Sequence, residues 1–129
     1  MDAYANKVRS SWREIDISMN ELQELLDEAD SNWSVTQTEQ WRKEANDEYS
    51  KLLKISDELL NISPVPPQAE EVQVGNEQIA SLLFPFMHNL ADYINTGDMK
   101  SLETSTEILE VIEAYIDEAE RLLIVAEQE

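Results

Sequence analysis

In four successive stretches of the chain, apolar side chains return every three or four residues, a period that lines them along one face of an α-helix. The first stretch, Tyr4, Val8, Trp12, Ile15, Met19, Leu22, Leu26 and Ala29, predicts a helix over 2–29. Asp30, Ser31 and Asn32 follow, residue types whose side chains bind nearby backbone, so the helix should stop there. Thr36 with Glu39 three residues later reads as a capping box. It opens a second helix over 37–62 that turns Trp41, Ala45, Tyr49, Leu52, Leu59 and Ile62 inward.

The segment Ser63-Pro64-Val65-Pro66-Pro67 cannot stay helical, because proline lacks an N–H and drives its predecessor toward extended geometry. A stiff elbow is expected there. The third helix, 67–95, carries Ala69, Val72, Ile79, Leu83, Phe86, Leu90 and Ile94; Pro85 interrupts it and should kink it, and Thr96-Gly97 stops it. Asp98 is placed to cap a fourth helix, 99–127, whose inner face reads Met99, Leu102, Leu109, Ile112, Ile116, Ala119, Leu123 and Ala126. The four segments are similar in length, about 40 Å each at ~1.5 Å per residue, and short connections make neighbours antiparallel. The expected fold is all-α: an up-down-up-down four-helix bundle of long helices, with a Pro-rich elbow between helices 2 and 3, in one domain over 1–129.

Two glycines and four prolines in 129 residues are too few for a turn-rich sandwich or barrel. The absence of cysteine excludes disulfides, thiolate metal sites and cysteine nucleophiles. The longest apolar runs, Leu82 to Met87 and Leu122 to Ala126, fall far short of the ~20 residues of a membrane span. Met1-Asp2-Ala3 leads into no basic-then-apolar leader, so the chain as given is expected to be soluble and without a signal peptide.

A formal net charge of −19 argues against direct binding of nucleic acid or anionic membrane, and favours a basic protein partner. The charge is uneven. Residues 1–54 hold 12 acidic and 7 basic side chains, whereas residues 55–129 hold 16 and 2.

Helix 4 concentrates both candidate features. Beside its inner face lies a second apolar stripe, Ile108, Val111, Tyr115, Leu122 and Val125. Its ordinary explanation is a helix set deep between two neighbours, and its functional one a homodimer or partner surface. The opposite face carries Glu103, Glu110, Glu113, Asp117, Glu120 and Glu127, with Arg121 as the only base nearby. Such a stripe is either a solvated face or a row of carboxylates imitating nucleic-acid phosphates toward a basic groove. Trp33, in the expected turn, either closes the bundle end or anchors a partner.

Enzyme chemistry finds no footing. A di-iron bundle needs two Glu-x-x-His pairs, and the lone His88 has Pro85 three residues before it. Ser10, Ser50 and Ser81 lie in helical segments without nucleophile-elbow glycines, and Gly75 and Gly97 alone cannot build a phosphate loop. No Asp-x-Asp-x-Asp-Gly calcium loop occurs. No catalytic residue, metal ligand or cofactor is expected.

Taken in order, Tyr4, Val8 and Trp12 on a first helix, the elbow Ile62-Ser63-Pro64-Val65-Pro66-Pro67, a long third helix, and Ala114-Tyr115-Ile116-Asp117-Glu118-Ala119 on the fourth resemble small helical-bundle domains of lipoprotein-like proteins from Gram-positive bacteria. The resemblance covers most of the chain. It implies an extracytoplasmic, non-enzymatic interaction or structural module, and it assigns no functional residues. A chain complete as given, without signal peptide or lipidated cysteine, would instead be cytoplasmic. The alternative function is an acidic inhibitor that mimics nucleic acid and blocks a basic groove, as anti-defence or anti-CRISPR proteins of phages do.

Overall fold

The computed structural model describes residues 1–129 and folds them into four long helices. The four are α1 (Asp2–Ser31), α2 (Glu39–Leu60), α3 (Glu70–Thr96) and α4 (Met99–Glu127), with 3-10 turns at Trp33–Gln37 and Pro67–Ala69 and no strand. Successive helices pack on one another, giving the expected all-α four-helix bundle.

The start of α2 departs from the expected capping box. Thr38, not Thr36, is the N-cap, its hydroxyl accepting the Trp41 N–H at 3.3 Å. Thr36 is instead fully buried in the 3-10 turn and donates to the Trp33 carbonyl at 2.8 Å. The chain gains a short turn that a capping pattern alone does not show. At the α3–α4 connection, on the same end of the bundle, the signals hold: Gly97 adopts φ 73°, the left-handed conformation natural to glycine, and its N–H closes on the Tyr93 carbonyl at 2.7 Å. Asp98 caps α4 by accepting the Lys100 N–H at 3.0 Å. Pro85 does not break α3, which is helical from Glu70 to Thr96.

All four helices contribute to one contiguous apolar cluster of 25 buried residues, including Val8, Ile15, Leu52, Leu59, Ile79, Leu83, Ile112 and Leu123. Polar side chains inside it join the first helix pair to the second. Trp12 Nε1 donates to Asn76 Oδ1 at 2.9 Å, the Tyr4 hydroxyl donates to Gln73 Oε1 at 2.8 Å, and Gln73 Nε2 donates to the Leu59 carbonyl at 2.8 Å. Burial pushes the Tyr4 phenol up to about 12, against a smaller opposing effect of Asn76. No buried side-chain polar atom lacks a partner, so the network orients the pairs without leaving an unpaired dipole.

Between α3 and α4 the approach is close because small residues meet there. A Cβ added at Gly75 would lie 3.4 Å from that of Ala119, and Ser105 Oγ reaches the Phe86 carbonyl at 3.0 Å. This pairing aims one flank of α4 into the core and leaves the other flank outside.

Candidate functional site

The six acids of the α4 stripe, Glu103, Glu110, Glu113, Asp117, Glu120 and Glu127, are all exposed. They differ in their partners. Glu127 is held by Arg9 of α1, whose Nη1 donates at 2.9 Å and whose Nη2 makes a second bond. That bidentate contact holds the Glu127 carboxyl below the usual carboxylate range. Nearby, Arg121 is engaged by Glu118, with Nε to Oε2 at 3.0 Å. The other five stripe acids make no ion pair within 4.0 Å. From Glu103 to Glu120 they span about 25 Å of rigid helix at ~1.5 Å per residue.

The second apolar stripe of α4 is not set deep between neighbours, as the ordinary explanation held. Val111 is 45 % exposed, Tyr115 38 % and Val125 46 %, while Ile108 and Leu122 are half-buried. The inner seam of Ile112, Ile116, Ala119 and Leu123 fills α4's share of the core, and no further helix covers the outer flank. The result is an apolar strip on one flank of α4, with unpaired carboxylates on the opposite face of the same helix.

Trp33 stands apart from that strip. Its ring meets Tyr93 edge-on with centroids 5.3 Å apart, and its Cζ2 lies 3.9 Å from where a Gly97 Cβ would be. The residue closes the bundle end at the α3–α4 connection, with 39 % of its surface still open. The stripe runs away from that end, so the structure does not unite Trp33 with Glu110, Glu113, Asp117 and Glu120.

One polar cluster escaped the sequence reading. Glu48 is only 4 % exposed, on the same inward line as Ala45 and Leu52. Ser18 Oγ donates to its Oε2 at 2.7 Å, and Lys51 Nζ lies 3.0 Å from its Oε1 and 3.5 Å from Glu21 Oε2. Burial pushes the Glu48 carboxyl up, but hydrogen bonds from Glu21, Ser18 and Lys51 outweigh it and hold it below the usual range. Glu21 is raised in turn by its bond to Glu48, by desolvation and by the like charge. The available signal was a glutamate at three and four residues from core positions. With Glu24, Glu28, Glu44 and Asp47 the pair lines an acidic groove between α1 and α2.

No group of three or more His, Asp or Glu side chains is placed to hold a metal ion. His88 is exposed and stacked on Phe84, with ring centroids 6.1 Å apart. No helix is long and apolar enough to cross a membrane. No protein-family model matches the chain, and no curated protein or solved structure matches it significantly.

Proposed function

We propose that the protein is a non-enzymatic interaction module that holds a basic amphipathic helix of a partner protein along the outer flank of α4. The observation that carries this is the exposed strip of Val111, Tyr115 and Val125 on a helix whose opposite face holds five carboxylates without an ion pair. Ile108, Val111, Tyr115, Leu122 and Val125 recur at the spacing by which one helix seats another, interrupted at Glu118. A partner helix with apolar anchors fits the strip, and lysines or arginines on that helix suit a chain of net charge −19. A homodimer through the same flank would bring two chains of charge −19 together, which disfavours it. The resemblance to lipoprotein-like domains implies that such a module works outside the cytoplasmic membrane.

Two model peptides of equal length and equal lysine content test this, one an amphipathic Leu/Lys helix and the other its scrambled, non-amphipathic counterpart. The amphipathic peptide should bind about tenfold more tightly, the worth of ~1.4 kcal/mol of apolar contact. Equal affinities would remove the apolar strip from the account. They would favour the second reading, an acidic inhibitor whose carboxylates imitate phosphates. The observation behind that reading is the run of five exposed, unpaired acids from Glu103 to Glu120. It requires binding that weakens steeply as ionic strength rises, and a flat salt dependence would eliminate it.

A further inference from the structure

Between α2 and α3 the bundle surface changes character. The Ser56 hydroxyl bonded to the Ala80 carbonyl ties the two helices together, and the residues that line the seam toward Trp41 include no acid, in a chain where acids outnumber bases 28 to 9. At the end nearer Trp41, a cleft of about 100 Å³ opens, lined mainly by apolar side chains. It exists because two alanines, Ala45 and Ala91, line it where larger side chains would fill the space; Trp41, Met87 and Leu90 form its walls.

The polar atoms at this cleft are as distinctive as its walls. Arg42 is half-buried and makes no ion pair within 4.0 Å; its one side-chain bond is a 3.5 Å contact to Gln37 Oε1. Arg9, Lys43, Lys51, Lys54 and Arg121 are each paired with a carboxylate, and the other bases without an ion pair, Lys7, Arg13 and Lys100, are exposed, so Arg42 alone is both half-buried and unpaired with an acid. Asn46 and Asn95 add two side-chain amides to the cleft lining. A guanidinium and two amides around an apolar slot are the complement of a carboxylate attached to a compact apolar group.

We propose that this cleft is a binding site for a small monocarboxylate bearing a single ring or a branched alkyl group. The tail enters between Ala45 and Ala91, and the carboxylate meets Arg42 and the amides of Asn46 and Asn95. The volume sets the size limit, since an apolar cavity of ~150 Å³ encloses one benzene ring and this smaller, open cleft admits a ring only in part. The site is independent of the α4 flank and stands or falls separately from it.

Phenylacetate is the probe, with phenylacetamide as its uncharged counterpart, followed by NMR of the Trp41 indole N–H and the Ala91 amide. Phenylacetate should shift both saturably, with a Kd on the order of 1 mM, as few contacting atoms allow. Phenylacetamide should bind about tenfold more weakly, and Arg42→Gln should weaken phenylacetate by a similar factor. Ala91→Leu, which fills the slot, should abolish the shifts while far-ultraviolet dichroism stays that of the bundle. The proposal is overturned if no saturable shift occurs at Trp41, if the amide binds as well as the acid, or if either substitution leaves phenylacetate binding unchanged.

Discussion

The two helical hairpins of this bundle hold their helices together by different means. Between α1 and α2 large side chains and charged bonds do it: the Trp41 indole donates to the Leu25 carbonyl at 3.0 Å, and Ser18, Glu21 and Lys51 converge on Glu48. Between α3 and α4 the backbones come close over Gly75, Ala119 and Ser105, with little charge involved. The charge budget follows the same division. Residues 1–62 and 63–129 carry 14 acids each, but seven bases against two. Four of the first hairpin's seven bases sit in ion pairs, Arg9 with Glu127 of the second, whereas the second hairpin has few bases and keeps most of its carboxylates without an ion pair.

The largest effect should erase the difference, because both hairpins draw on one core. Leu52→Ala in the first and Ile79→Ala in the second, each at 0 % exposure, should each cost about 2–5 kcal/mol in urea unfolding. Tryptophan fluorescence, which reports Trp41 within the first hairpin and Trp12 and Trp33 at its contacts with the second, should fall together with far-ultraviolet dichroism. Separate transitions would show two cores instead.

Next in size, Ala119→Leu should force α3 and α4 apart and cost about 1–3 kcal/mol. Gly75→Ala should be neutral to stabilising, since its Cβ meets Ala119 at an ordinary 3.4 Å and alanine favours helix by about 0.5–1 kcal/mol over glycine. Equal losses from the two would deny that shape holds this hairpin.

Glu48→Ala should cost about 1–2 kcal/mol by leaving the buried Ser18 hydroxyl unpaired. It also carries a pH signature. The Glu48 carboxyl is lowered, so its stabilisation is present above the ordinary glutamate value of 4.5 and is lost as pH falls through its folded pKa. Glu21 is raised, so stability is lost on its account as pH climbs from 4.5 through its higher folded pKa. Glu21→Gln should therefore raise stability at neutral pH, measured by thermal unfolding, and leave the acid limb in place. Smallest of all, Arg9→Gln should cost under about 1 kcal/mol, an amount that shrinks with added salt, because the Arg9–Glu127 pair is about one-third exposed.

The helices were legible because the three-and-four spacing is dense, and because Gly97 and Asp98 announce one connection by backbone chemistry alone. The start of α2 was less so, since Thr36 and Thr38 are both plausible caps and only the buried turn beneath Trp33 decides between them. Glu48, Gln73 and Asn76 interrupt apolar lines, and such positions look like solvent until a partner such as Ser18, Tyr4 or Trp12 is brought beside them. The exposure of Val111, Tyr115 and Val125 depends on which flank of α4 faces α3, a choice made by the small residues Gly75 and Ala119 across the interface. The α2/α3 cleft is hidden for a similar reason: Ala45 and Ala91 are 46 positions apart, and only the bundle register places both along it.

The central claim, that the outer flank of α4 receives a basic helix, is tested by comparing exposed apolar residues on two helices. The amphipathic Leu/Lys peptide would be titrated into the Val111→Ser/Tyr115→Ser/Val125→Ser variant and into Leu53→Ser/Leu60→Ser, which alters equally exposed positions on α2. The expected result is at least a tenfold loss of affinity, about 1.4 kcal/mol, in the α4 variant and none in the α2 variant. Unchanged binding to the α4 variant, or equal losses in both, would contradict it.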